Sequence, residues 1–415
     1  MTWVPVKRRS SDPNKKIDPV VSLCHPIQQR QDRIARSIPN RVLLSIIRNS
    51  LQPGKSLQPR GIVNPGHFCY QNSVYQSLMH TPIFVRWIDT HTRVKDCEAK
   101  KDVKPPCVKC NLKQLTYQYW DAQVDSIFPI SGHNVYLGNI RETAWTRFRE
   151  THLEDASEYY NWIIEQLDDE NDKVWHDQLV ALYGISYKEY YKCRVCGVER
   201  PGAPSPPEFS LEVAMDEIES VEEAVERYLG PEKLRVHCES RKCRKARDGT
   251  RHERYKQITA GPKVLRVTLK ITEYSLKGLK ISTAFEINEF LDLTEFQAVN
   301  KVPLRYRLAS VISHRGKTLH AGHYIASVRS FYQSEHRFYH INDDFTSGLS
   351  QIEFSNNPQR PIHYTKGLGF NVYTLTYLRD EKPLRDIRKL LKNSAPGGLD
   401  LEIEPTRDVR RIQSL

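Results

Sequence analysis

Gly61-Ile62-Val63-Asn64-Pro65-Gly66-His67-Phe68-Cys69-Tyr70-Gln71-Asn72-Ser73 is the stretch on which the reading of this chain turns. The Pro65-Gly66 pair suits a tight turn feeding a helix. From Cys69 to about Ile88 only Pro82 interrupts, and Val74 and Leu78 lie at helical spacing. A cysteine that begins a helix sits where backbone N–H groups and the helix dipole favour its thiolate. Asn64, five residues upstream, can curl back and offer its side-chain amide to an oxyanion. Cys69 is therefore a candidate nucleophile in search of a base.

That base is found much further on. His314-Arg315-Gly316 is followed by Ala321-Gly322-His323-Tyr324 and then by Asn342-Asp343-Asp344. A histidine on a strand edge, preceded by Gly, can approach a thiol closely because Gly lets the backbone pass. The stretch from His323 to Asn342 has the length of a strand, a turn and a returning strand, which brings Asn342 or Asp343 back beside the imidazole. A side-chain oxygen there would hold the ring in the right tautomer. Alone, His323 would read as a satisfied core histidine; Cys69 is what gives it a chemical partner.

The rest of the chain supplies the frame. Residues 1 to about 57 are rich in Arg, Lys, Pro, Gln and Ser and read as a basic, mostly flexible extension carrying one short helix. Lys7-Arg8-Arg9 and Lys15-Lys16 within it read as a solvated basic tail or, more sharply, a nuclear import signal. A helix is expected over 151–167, with Thr151 and Glu154 as a capping box, and another over 220–229, with Ser220 and Glu223 in those roles. The second half changes period: Leu265, Val267, Leu269 and Ile271 alternate with polar residues as in a half-buried strand. Residues 304–313, 323–330, 337–342 and 371–378 also read as strands, so the class is α+β. Residues 380–415 are charged, contain Pro-Gly-Gly, and are expected to be a loosely ordered tail.

Composition narrows the setting. The chain has 415 residues, 39% apolar, with no run near the roughly 18 apolar residues of a membrane span. Its first residues are polar and basic rather than a signal peptide, so an intracellular, cytoplasmic or nuclear protein is expected. The net charge of +12 favours acidic partners, nucleic acid or anionic surfaces without choosing among them. Nine cysteines in a reducing compartment read as metal ligands, nucleophile or core. Cys193-Arg194-Val195-Cys196-Gly197 followed by Cys238 and Cys243 suits a tetrahedral four-thiolate zinc site, the first half being a zinc knuckle. Cys97, Cys107 and Cys110 supply three sulfurs, and His91 is near enough in sequence to be the fourth ligand. Both sites would be closed and structural. Arg235, Arg241, Lys242, Arg244, Lys245, Arg247, Arg251, Arg254 and Lys256 cluster around the second knuckle as a solvated fingertip or a contact for an acidic partner; with only Tyr255 for stacking, nucleic-acid recognition is not expected.

Taken together, the segments around Cys69 and His323 resemble those of the ubiquitin-specific proteases. That family's cysteine box is matched at Gly61, Asn64, Gly66, Cys69, Tyr70, Asn72 and Ser73, and its histidine box at His314, Gly316, Gly322, His323, Tyr324, Ile341, Asn342 and Asp343. A third signature is present in altered form as Glu154-Asp155-Ala156-Ser157-Glu158-Tyr159. The resemblance covers about residues 58–379 and implies a papain-like thiol protease with a helical thumb, an antiparallel β palm and zinc-binding fingers at about 188–262. It implies that Cys69 attacks the carbonyl of ubiquitin's final glycine, that His323 takes the proton, that Asn342 orients His323, with Asp343 as the alternative, and that Asn64 lines the oxyanion hole. Asp155 would pair with an arginine of the ubiquitin tail, and Tyr324 would help line the channel for Gly-Gly. The family carries paired zinc knuckles in this order, and some members have a site of one histidine and three cysteines in the region of His91 to Cys110.

Three departures stand out: His67-Phe68 replaces a smaller Asn-Thr pair, Glu154 replaces a Gln, and the loop between His314 and His323 is about one residue longer. None removes a triad member, so an active deubiquitinase is expected, with room for a slow one. Other readings are an inactive ubiquitin-binding scaffold, a zinc-containing nucleic-acid binder, and a hydrolase for another ubiquitin-like modifier.

Overall fold

The computed structural model describes residues 25–50, 59–91, 106–120, 128–144, 147, 152–215, 218, 220–243, 250–270, 286–299, 302–319, 321–329, 338–350 and 371–380. Where the sequence predicts one short helix before residue 58, two are present: α1 (Pro26–Ser37) and α2 (Arg41–Ser50). Buried Gln28 in α1 bonds both the N–H and the carbonyl of Gly261, and Asp32 sits between Lys263 and Arg379 at 2.9 Å from each. The basic residues near the N-terminus, Cys24 and the tail beyond residue 380 lie outside the described residues.

The helix beginning at Cys69 ends at Met79 (α3), and a second, α4 (Pro82–Asp89), starts at the proline. Pro at the first helical position loses no hydrogen bond, because that N–H has no intrahelical partner. Then come α5 (Val108–Tyr119), α6 (Val135–Ala144), α7 (Ala156–Leu167) and α8 (Lys173–Tyr183). The predicted start of α7 at Thr151 is corrected: the N-cap is Asp155, whose side chain accepts from the N–H groups of Ser157 and Glu158. The later helix α9 (Val221–Leu229) has Ser220 as its cap, as predicted.

Strands β1 (Ser186–Cys193), β2 (Glu199–Pro201), β4 (Glu232–Val236) and β5 (Thr250–Ala260) form a four-stranded sheet in the order β2-β1-β5-β4. A larger sheet runs β11 (Phe345–Ser350), β10 (Phe338–Asn342), β9 (Ala321–Arg329), β8 (Arg305–Thr318), β12 (Asn371–Arg379), β6 (Val264–Lys270) and β3 (Leu211–Ala214), with β7 (Phe290–Asp292) paired to β8. All its pairings are antiparallel except β3 with β6. The alternation read in β6 does not translate into alternating burial. Arg266 and Thr268 are buried as well, Arg266 over the Tyr160 ring and Thr268 against Ser157 and Ser210. A strand flanked on both edges and covered on both faces has no solvent side to give its polar residues.

All of α3 is buried, packed against β8, β9 and β10 of this sheet. Its polar residues survive burial because each finds a partner. Gln76 donates to the Arg60 carbonyl at 2.7 Å, and the Ser77 hydroxyl meets those of Ser310 and Thr376. No helix among the described residues is long and apolar enough to cross a membrane.

The Asp32 cluster makes α1 part of the folded body. Burial works to raise the Asp32 pKa, but Arg379 and Lys263 outweigh it and hold the carboxyl below its ordinary value of 3.8. Lys263 moves the other way, down to about 8, through its own burial and the neighbouring Arg379, so the Asp32–Arg379 contact is the stabilising one. A carboxyl depressed on folding contributes stability above its unfolded pKa and loses it as pH falls through the folded value. Asp32→Asn is expected to cost about 2–3 kcal/mol in denaturant unfolding at pH 7. That gap should narrow as pH is taken below about 4.

Candidate active site and metal centres

Cys69 is the first residue of α3, after an N-cap, Phe68, that makes no side-chain capping bond. The helix's opening N–H groups are thus left to the sulfur and to whatever enters beside it. Cys69 is 3% exposed. Burial pushes its thiol up to about 11; the backbone N–H groups of Tyr324, Tyr70 and Cys69 pull it down, and the Asp343 charge pushes further up. The Tyr324 contact places the residue next to His323 against the nucleophile.

His323 lies on β9, opposite Arg315 of β8. Gly322 has φ of 152°, and a Cβ there would lie 1.9 Å from the Arg315 carbonyl oxygen, so only glycine lets β8 and β9 close at this point. The returning strand β10 places Ile341 opposite Ala326, and Asn342 at its end meets the imidazole: Nε2 to Oδ1 is 2.6 Å. Of the two candidates left open by the sequence, Asn342 is the one that touches His323.

Asp343 faces the other way. Its Oδ1 accepts from Asn72 Nδ2 at 2.8 Å and its Oδ2 from Asn64 Nδ2 at 3.0 Å. Its backbone has φ of 51°, the left-handed region that Asp tolerates better than most residues. The Asn64 Oδ1 accepts from the N–H groups of Gly66 and Phe68, which curls the loop back onto the helix start as expected. An amide nitrogen carries two hydrogens, so one remains for an acceptor when Asp343 holds the other. Asn72 matched the cysteine box without receiving a role; its bond to Asp343 and another to the Ile62 carbonyl at 3.1 Å supply one.

Asp155 and Tyr324 are placed in the interior. Asp155 is 4% exposed: Oδ1 caps α7 and Oδ2 accepts from the Tyr373 hydroxyl at 2.6 Å. Tyr324 is 1% exposed, its ring centred 4.3 Å from that of His314 and its hydroxyl donating to the Leu319 carbonyl. Tyr373 went unsuggested by the sequence, since a tyrosine in a strand reads as core.

Two groups of ligating side chains converge. The sulfurs of Cys193, Cys196, Cys238 and Cys243 lie within 4.8 Å of one another, with Cys193–Cys243 at 3.8 Å and Cys196–Cys238 at 3.6 Å. Four thiolates at about 2.3 Å around a tetrahedral zinc would be roughly 3.8 Å apart, so the set fits. Gly197, at φ of 74°, closes the first knuckle through its N–H to the Cys193 carbonyl. Burial opposes ionisation of Cys193, but the Thr250 hydroxyl and the N–H groups of Cys196 and Val195 outweigh it and draw its pKa down. In the second group, His91 Nε2 is 3.7 Å from Cys107 Sγ and 3.4 Å from Cys110 Sγ. Those spacings suit ligands of one ion, with Cys107 as the cap of α5. Cys97, expected to join these three, lies outside the described residues.

The basic fingertip is less open than the sequence suggested. Arg254 is paired with Glu232 and Glu189, and Lys256 lies over the rings of Tyr228 and Tyr187 at 3.6 and 4.5 Å. Arg244, Lys245 and Arg247 fall outside the described residues.

At neutral pH a thiol at about 11 is ionised to about one part in ten thousand. Alkylation of Cys69 by iodoacetamide in the free protein, followed by peptide mass mapping, is expected to rise about tenfold per pH unit from pH 7 to 9. A plateau reached by pH 7 would mean that a thiolate–imidazolium pair already stands in the free protein.

A family model described as ubiquitin carboxyl-terminal hydrolase matches residues 60–377. Human ubiquitin carboxyl-terminal hydrolase 42 is 26% identical over 295 residues, covering 69% of this chain and 21% of that protein. Ubiquitin carboxyl-terminal hydrolase 25 of Arabidopsis thaliana is 26% identical over 334 residues, covering 73% of this chain and 48% of that one. The chain thus spans less than half the length of either relative. Among solved structures, the SAGA Ubp8/Sgf11/Sus1/Sgf73 DUB module bound to ubiquitin aldehyde shares the fold with a TM-score of 0.59 at 21% identity, over 78% of this chain and 70% of that one. A form of that module bound to monoubiquitin has a TM-score of 0.59 at 20% identity, over 83% and 76%. With the family model matching most of its length, this chain belongs to the ubiquitin carboxyl-terminal hydrolase family.

Proposed function

We propose that this chain is a thiol-dependent deubiquitinase that cleaves isopeptide or peptide bonds after the C-terminal glycine of ubiquitin. The observation that carries the reading is the meeting of Cys69, at an uncapped helix start, with the strand that holds the His323–Asn342 pair. Asn342 occupies Nε2 of His323, which makes Nδ1 the nitrogen that takes the thiol proton. The sulfur adds to the glycine carbonyl, and the oxyanion is met by backbone N–H groups at the start of α3 and by the Asn64 amide. The imidazolium returns its proton to the leaving amine, a thioester remains, and water attacks it with His323 again as base. Ubiquitin leaves with a free carboxylate.

We take residues 58–379 as the catalytic domain, with its fingers in the four-stranded sheet and α1 packed beneath it. The cysteine set at 193, 196, 238 and 243 would hold structural zinc at the finger end, and His91, Cys107 and Cys110, with Cys97, would hold a second ion beside α5. Neither ion takes part in the chemistry. Reduced ligand sets of this kind belong in a reducing compartment, the cytoplasm or nucleus. Asp155 and Tyr324, buried in the free protein, would reach the ubiquitin tail only after a local rearrangement. Arg235, Arg241, Lys242 and Arg251 remain at the fingertip for an acidic partner.

A ubiquitin-binding scaffold without turnover is the second reading, favoured by the burial of Cys69 and the nearby Asp343 charge, which push its thiol up. Incubation with ubiquitin bearing a thiol-reactive electrophile at its C-terminus separates the two. The hydrolase should form a covalent adduct that Cys69→Ala abolishes; a protein that binds ubiquitin yet forms no adduct is the scaffold. For the metals, zinc content measured on the native protein should fall by one equivalent in Cys193→Ser/Cys243→Ser. That variant should also bind ubiquitin at least tenfold more weakly, because the fingertip loses the ion that orders it.

A further inference from the structure

The loop before the nucleophile carries two large residues, and the structure accommodates them differently. His67 is exposed, whereas Phe68 is 4% exposed, with its ring 4.0 Å beneath the guanidinium carbon of Arg141. Arg141 is itself 4% exposed and stands on α6 one turn from Leu137 on one side and Ala144 on the other, on a stripe that is otherwise apolar. A cation at such a position needs compensation, and two of its three nitrogens find acceptors. Nη1 donates to the Gly132 carbonyl at 2.7 Å and Nε to Gln71 Oε1 at 3.2 Å, while the plane stacks on Phe68. Gln71 passes the contact on to the Tyr70 hydroxyl at 3.0 Å.

These contacts bracket Cys69. Phe68 precedes it, Gln71 follows within the same turn, and Gly132 abuts the loop that leads into the helix: a Cβ there would lie 2.6 Å from the Val63 carbonyl oxygen and 2.7 Å from Pro65. The platform under Arg141 is fixed in turn, since Asn139 of α6 donates to Asn111 of α5 and Thr143 donates to the Pro106 carbonyl. The Phe68 side chain makes no capping hydrogen bond, so beyond its backbone bonds to Asn64 and Asn72 the orientation of the helix's first N–H groups depends on what holds the ring.

We propose that Arg141 is a positioning residue for ubiquitin hydrolysis, clamping Phe68, Gln71 and Gly132 so that the N–H groups around Cys69 face the developing oxyanion. This rests on the hydrolase reading given above. Arg is required rather than Lys because only a planar fork can stack on a ring and make two directed bonds at once. Buried beneath the loop, Arg141 should act on the rate of acylation and leave ubiquitin affinity alone.

The test uses the full chain with ubiquitin carrying a fluorogenic C-terminal amide. Single-turnover acylation at saturating substrate is measured beside ubiquitin Kd in a Cys69→Ala background and Tm, for Arg141→Met, Arg141→Lys, Phe68→Leu and the Arg141→Met/Phe68→Leu pair. Arg141→Met should slow acylation by about 10- to 100-fold with Kd within about twofold. Arg141→Lys should recover only part of that rate, and adding Phe68→Leu to Arg141→Met should cost little more, because the stack is already lost. If Arg141→Met does not fold, Arg141→Lys and Phe68→Leu must each slow acylation with Kd unchanged. Acylation at the wild-type rate, a rate loss matched by a weaker Kd, or additive losses in the pair would overturn the inference. A wild-type chain that binds ubiquitin but never acylates would instead overturn the hydrolase reading, and this inference with it.

Discussion

The carboxylate of Asp343 accepts from Asn64 on the loop before the nucleophile and from Asn72 on the helix after it, while its own carbonyl accepts from the Ile62 N–H at 2.8 Å. One residue at the end of a palm strand thereby ties down both sides of Cys69. The turn that aims it runs through φ of 51°, and Gly61 lies so close to Asp344 that a Cβ would come 2.3 Å from its carbonyl oxygen. Because Asn342 and Asp343 are consecutive, the same turn sends one side chain to His323 and the next to the thumb. The relative placement of Cys69 and His323 depends on this junction.

The arrangement has a cost at Cys69. The carboxylate that organises the loop also stands near the sulfur, and with burial it opposes the thiolate that the helix start would favour. In the free protein Cys69 is thus buried with its thiol pushed upward, and Asp155 and Tyr324 are turned inward. Under the proposed function, binding of a ubiquitin tail would have to supply the displacement that such a site requires, with energy from remote contacts used to assemble the reacting groups. The two sets of potential metal ligands lie elsewhere, one at the end of the four-stranded sheet and one at the start of α5, where a bound ion would tie the surrounding turns together.

Much of this was legible beforehand because the signals were local. A cysteine after Pro-Gly at the head of a periodic segment, a histidine after Gly in a β-rich segment, and paired cysteines around turns each need only a few neighbouring residues to be read. Misreadings arose where a long-range neighbour decided the outcome. The α7 start moved to Asp155 because that carboxylate also receives the Tyr373 hydroxyl from β12. The alternation in β6 marked no solvent face, because strands on both sides and α7 above bury Arg266 and Thr268. Lys256 of the basic run proved to be packed on two tyrosines, one of them from α9.

The sequence by itself determined the α+β class, and residue type and spacing along the chain singled out Cys69, His323 and the converging cysteines as candidates. Only the tertiary structure decided between Asn342 and Asp343, gave Asn72 its place, and set Arg141 beneath Phe68. The reason is geometric: adjacent residues on a strand end differ by the direction of one turn, and a cation on an apolar helical stripe is explained only by what packs against it. Such choices depend on contacts between residues up to 279 positions apart, which local periodicity does not encode.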